Sequence, residues 1–264
     1  MIYKFFRLKK VYKFCLIFLI VFLNAFLTFE ISKLSNPILA AGLIGLINSL
    51  ILKEYAILSF IAAFIGMSSQ PVLFSYFLIL LSSFFAIIFW IILRKAPKLG
   101  GKAGTIAFLS IIFTNLFRIF KLEILKIQTI ELIYLFPSFL TSIFFLFLTV
   151  LIREKVRNLK SNAVFASSLI GILWGSIIFF IPIEFLPQIS FAASFAGMTS
   201  LNLIKNKVNY SILTGFLMTF FFFIFSSIFI GFGGKLGFIA FVANYFTFLL
   251  EKKLELNTLK TNSR

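Results

Sequence analysis

Histidine and aspartate are absent from this 264-residue chain, and cysteine occurs once, as Cys15. A lone cysteine excludes an internal disulfide and any thiolate metal cluster. Without His or Asp the common zinc and non-haem iron ligand sets cannot be assembled either, so no metal and no cofactor is expected. Enzymatic chemistry is also poorly provided for. A nucleophile would have to be Ser with Lys or Glu as base, and no such pair is brought together by spacing; the expectation is a protein that is not an enzyme. Charge is scarce as well: 12% of residues are charged, against about 25% in soluble domains. No polar stretch exceeds about a dozen residues, which leaves no room for a separate soluble domain.

What is present is apolar. Hydrophobic residues make up 61% of the chain, and 39 residues from Tyr55 to Leu93 carry no charge. At roughly 20 residues per membrane helix, that run alone holds two. Asn162 to Ile183, Phe185 to Ile204 and Val208 to Gly234 are further charge-free stretches. The 41 phenylalanines suit lipid-facing positions, which accept any large apolar side chain. An N-terminal run of Lys4, Arg7, Lys9, Lys10 and Lys13 before an apolar segment could belong to a signal peptide. A retained first helix is preferred, because an internal repeat supplies it with a counterpart.

That repeat consists of three collinear blocks. Ser35–Gly45 reappears as Ser161–Gly171, Leu58–Ser69 as Ile189–Ser200, and Gly100–Phe108 as Gly233–Phe241. The expected fold is an all-α polytopic membrane protein of about ten transmembrane helices, arranged as two five-helix repeats over 1–128 and 129–264. The spans fall near 14–30, 37–52, 55–69, 71–93 and 103–120, then 131–152, 162–183, 186–202, 208–230 and 236–250. The third span of each half is short and rich in Ala, Ser and Gly, so a re-entrant or broken helix is open there.

Five spans per repeat force the second copy to enter from the opposite side. Charge tests this independently through the excess of Lys and Arg in cytoplasmic loops. With both termini cytoplasmic, twenty of the 25 Lys and Arg fall inside, leaving Lys33, Arg118, Lys121, Lys126 and Lys235 outside. The net charge of +17 is thereby accounted for without nucleic acid, for which no basic domain is present. A prokaryotic inner or plasma membrane is the expected location.

Inverted repeats are the architecture of many transporters, with substrate near the midplane at the repeat interface. The function expected is therefore a transporter or permease for a small, anionic solute, working by alternating access. A lipid or lipid-carrier translocase and a membrane subunit of a larger complex are the alternatives, and an intramembrane enzyme is a more distant one. The partners expected are the bilayer and a small-molecule or lipid substrate, with a second copy or a membrane partner left open.

Candidate substrate contacts lie in the repeated motifs. Gly101, Lys102 and Gly104 and their counterparts Gly234, Lys235 and Gly237 open the fifth span of each half. First-turn amides with a lysine favour an anion. A tight turn with close helix packing and a snorkelling lysine is the plainer reading. Gly66, Met67, Ser68 and Ser69 and their counterparts Gly197, Met198, Thr199 and Ser200 end the short third spans. They line a path or simply let helices pack closely. Carboxylates for ion or proton coupling must come from eight glutamates, of which Glu54, Glu131 and Glu184 are the candidates. All three lie near predicted span ends, where a solvated charge is the alternative.

Overall fold

The computed structural model describes residues 2–116, 134–177 and 185–262, with side chains over 12–116, 134–177 and 185–253. Glu131 and Glu184 lie outside the described residues. Within them the chain is all helix, with no strand. The ten helices are α1 (Ile2–Leu34), α2 (Pro37–Ile51), α3 (Ala56–Gly66), α4 (Tyr76–Leu93), α5 (Lys102–Thr114), α6 (Leu135–Lys155), α7 (Asn162–Ile177), α8 (Phe185–Ala196), α9 (Lys207–Phe225) and α10 (Lys235–Asn262).

Local chemistry sets several boundaries. Asn36 caps α2, its side chain accepting from the Leu39 amide, and Pro37 follows at the first helical position, where no amide donor is needed. Asn206 caps α9 in the same way through the amides of Val208 and Asn209. Gly101 and Gly234 precede α5 and α10 with φ of 84° and 79°, a region that glycine enters without steric penalty. At the outer ends α1 and α10 overrun the apolar runs expected at 14–30 and 236–250, because no Gly or Pro stops them and Leu, Lys and Glu sustain a helix in water.

Four helices are long and apolar enough to cross a membrane: Tyr12–Leu34, Tyr76–Leu93, Leu135–Lys155 and Lys207–Phe225. Each presents large apolar side chains outward at helical spacing, as in Leu19, Leu23 and Leu27 on α1 and Ile212, Phe216, Phe220 and Ile224 on α9. Water would not hold such stripes open, and lipid would. The other apolar helices are shorter. α3 has 11 residues and α8 has 12, so at 1.5 Å per residue each is about 16–18 Å long. Of α3, only Ile57 is exposed, and of α8 nine residues are buried. The shortest helices therefore form the centre, and the long ones wrap them.

Packing follows one pattern twice. α1 lies on α3, α4 on α5 and α3 on α5; α6 lies on α8, α9 on α10 and α8 on α10. α2 and α7 pack against each other, as do α5 and α10. Small residues make both contacts close. A Cβ on Gly171 would stand 3.3 Å from the Gly42 Cα, and one on Gly104 would stand 2.5 Å from the Gly237 Cα. An exposed ion pair joins Lys160 to Glu54 and a half-buried one joins Lys207 to Glu154 at one end of the bundle. At the other end Asn36 donates to the Gly175 carbonyl across the halves.

Candidate functional site

The two repeated motifs meet crosswise. The Gly100 amide donates to Thr199 Oγ1 at 2.8 Å, and the Gly233 amide donates to Ser68 Oγ at 3.0 Å. Beside these, the Ser200 amide donates to the Lys98 carbonyl and the Ser69 amide to the Gly231 carbonyl, at 2.9 and 2.8 Å. Each glycine turn of one half is thus bonded to the end of the short central helix of the other. Buried backbone donors need such partners, and here they come from residues at the same place in the two similar sequence blocks, Leu58–Ser69 and Ile189–Ser200.

The lysines of the same motifs serve as helix caps. Lys102 Nζ donates to the Ala96 carbonyl at 2.9 Å, in the turn after α4. Lys235 Nζ donates to the carbonyls of Phe225, Ser226 and Ile228 at 3.1 to 3.3 Å, where α9 ends. These carbonyls lie at or just beyond the helix ends, where the helical ladder stops, and the Phe225 carbonyl also accepts from the Ile228 amide. A cation at a helix C-terminus complements its dipole.

Four phenylalanines fill the middle. Phe60 and Phe64 of α3 have ring centroids 4.4 Å apart, and Phe191 and Phe195 of α8 have theirs 4.3 Å apart. Across the halves Phe64 meets Phe195 edge to face at 4.7 Å. Gly45 lies against the Phe60 ring and Gly171 against the Phe191 ring, so the absent side chains of α2 and α7 make the space that the rings occupy.

On either side of this layer is a cavity, and Phe64 and Phe195 line both. The smaller cavity, about 250 Å³, is bordered by Asn36, Met67 and the 230–236 turn with Gly233, Gly234 and Lys235. The larger, about 420 Å³, is bordered by the equivalent segments: Asn162, Met198 and the turn with Gly100, Gly101 and Lys102. Their charge differs. Among the described residues, Arg94, Lys98, Lys102, Arg153 and Lys160 line the larger cavity, and Lys235 is the one charged residue on the smaller.

The motif residues named from sequence divide accordingly. Gly101, Lys102, Gly104, Met198 and Ser200 border the larger cavity, and Gly234, Lys235 and Met67 the smaller. Gly66 is pressed against the α1 backbone at Ala25 and Phe29, Gly197 against Thr149 and the Leu146 carbonyl of α6, and Gly237 against Gly104. Ser68, Ser69 and Thr199 are engaged in the crosswise bonds. Glu54 is exposed, 3.5 Å from the exposed Lys160.

Three buried polar residues were not legible in advance. Arg153, 5% exposed, directs Nη1 to the carbonyls of Gly197 and Thr199 at 2.5 Å each, and Nε to Asn162 Oδ1 at 3.4 Å. It follows the expected sixth span and is hidden in a run of loop charges. Tyr210 donates to Asn244 Oδ1 and lies 3.0 and 2.8 Å from the Ala196 carbonyl and Thr199 Oγ1. Asn244 in turn donates to the carbonyls of Gly100 and Ala196. Compared with protein-family models, curated proteins and solved structures, the chain matches none.

Proposed function

We propose that this chain is a multi-pass transporter for a small solute, built from two inverted five-helix repeats and working by alternating access. One observation carries the reading: two cavities formed by equivalent segments of the two halves lie back to back across the Phe64–Phe195 pair. In an inverted repeat such a pair of vestibules faces opposite sides of the membrane, and exchange of roles between the halves opens one while closing the other. The paired packing of α1–α5 and α6–α10 supports the duplication. Charge supports the inversion. The end that holds 94–102, 153–162 and 200–207 is the end rich in Lys and Arg, as a cytoplasmic face should be, and the other holds Lys33 and Lys235.

The test uses single cysteines in a Cys15→Ser background, labelled with a membrane-impermeant maleimide on sealed right-side-out and inside-out vesicles. Met198→Cys should react only from the cytoplasmic side and Met67→Cys only from the opposite side. Ser161 and Lys102 positions should follow Met198, and Ser35 and Lys235 positions should follow Met67. If Met67→Cys and Met198→Cys react from one and the same side, the repeats are not inverted and the transporter reading falls.

A further inference from the structure

We propose that the larger cavity binds an anionic group carried on an apolar body, a phosphate or carboxylate attached to an aromatic or aliphatic moiety, with Arg153 receiving the charge. This names a substrate class for the transporter and rests on that reading.

Arg153 is the first observation. The residue is more than nine-tenths buried and lines the cavity, yet no carboxylate among the described residues lies within ion-pair distance of it. Nε and Nη1 are engaged by Asn162 and by the carbonyls that end α8, while Nη2 has no hydrogen-bond partner among the described residues. Helix-end carbonyls compensate part of the desolvation of a buried cation. With Nε and Nη1 tied down, the guanidinium is fixed in place and Nη2 offers its charge-assisted N–H donors to an oxyanion at a set position.

Composition of the wall is the second. Among the described residues the cavity is lined by Arg94, Lys98, Lys102 and Lys160 around Arg153 and by no glutamate, so its wall is basic, with Glu54 beside the exposed Lys160 as the nearby counter-charge. Among the described residues its twin across the phenylalanine layer has only Lys235, whose ammonium is already bonded to three carbonyls. Two vestibules with the same backbone plan thus differ in the side chains that would hold an anion. The third observation is the apolar part of the same wall. Trp90, Ile57, Leu99 and Met198 share the wall with the cations, and the Arg94 guanidinium lies 5.8 Å from the Trp90 ring. A volume of about 420 Å³ suits a small organic molecule and exceeds what an inorganic ion needs.

Trp90 provides the readout, because Trp174 is the one other tryptophan and Trp174→Phe leaves a single reporter in the cavity wall. In phosphatidylcholine nanodiscs, phenyl phosphate should change Trp90 emission saturably, and benzyl alcohol at the same concentration should not. Arg153→Gln should weaken that response about tenfold or more, the size expected for a lost charge-assisted hydrogen bond. Arg94→Gln with Lys98→Gln, both exposed, should weaken the affinity several-fold, read from the midpoint of the titration because Arg94 lies over the Trp90 ring and its loss alters the baseline emission. The proposal thus stays testable if Arg153→Gln does not fold. Lys95→Gln with Lys155→Gln removes the same charge outside the cavity and should leave the affinity unchanged.

A response seen only when phosphatidic acid is added to the nanodisc, and lost in the same variants, identifies the anionic group as a lipid headgroup. Saturation by phenyl phosphate in phosphatidylcholine alone identifies a soluble anion. No response to either probe, or a response indifferent to the Arg153 and Arg94/Lys98 changes, overturns the proposal. The opposite-sided cysteine pattern could still hold in that case, and the transporter reading would then stand without this substrate class.

Discussion

Phe64 of α3 and Phe195 of α8 meet edge to face with ring centroids 4.7 Å apart, each no more than 1% exposed. They occupy the same position in the repeated block, so the contact joins a residue to its own counterpart. Aromatic pairs favour this geometry, and with Phe60 and Phe191 it closes the centre of the molecule between two cavities.

Removing that layer should connect the cavities. Phe64→Ala combined with Phe195→Ala is expected to raise passive chloride flux in proteoliposomes well above the parent protein. Each single substitution should also lower stability by roughly 3 kcal/mol or more, measured by thermal unfolding in detergent. Unchanged flux in a folded double variant would mean that the barrier lies elsewhere.

The α5–α10 crossing depends on two glycines. A Cβ on Gly104 would stand 2.5 Å from the Gly237 Cα, and one on Gly237 2.6 Å from the Gly104 Cα. Either Gly→Ala change should destabilise by about 1–3 kcal/mol through overpacking. Because the two share one contact, their combined cost should depart from additivity, which a double-mutant cycle of denaturation midpoints measures.

Lys235 holds three carbonyls at the end of α9. Lys235→Met keeps the length but removes the donors, and should cost about 1–3 kcal/mol. Lys235→Gln retains a donor and should cost less. Equal losses would show that the charge matters more than the hydrogen bonds.

Tyr210 and Asn244 tie the end of α8 to the Gly100 turn. Tyr210→Phe leaves buried acceptors without their donor, at a cost of about 1–3 kcal/mol. It should also speed hydrogen exchange at the Gly100 amide, which bonds to the same Thr199 hydroxyl. Unaltered exchange there would separate the tyrosine from the crosswise contact.

Glu54 is the described member of the coupling candidates. It is 73% exposed and faces an exposed lysine at 3.5 Å, an arrangement that contributes little in water. Glu54→Gln should shift stability by less than about 0.5 kcal/mol, and transport, once assayed, should keep its pH profile. An altered profile would restore Glu54 to the transport cycle.

Composition and periodicity alone determined that the described residues are helical and roughly where their helices lie, because a charge-poor apolar run has one local solution, a helix with its backbone bonds made internally. Repetition of residues such as Asn36 and Asn162 or Phe64 and Phe195 was legible for the same reason: identity is a one-dimensional property. What the repeated motifs touch was not. That Gly100 bonds Thr199, that Gly233 bonds Ser68, and that Arg153 is buried against the carbonyls of Gly197 and Thr199 all depend on contacts between residues far apart in the chain. Helical spacing says which face of a helix is apolar but not which helix will cover it. Only the packing of two short central helices between two halves brought those residues together and left a cavity on each side.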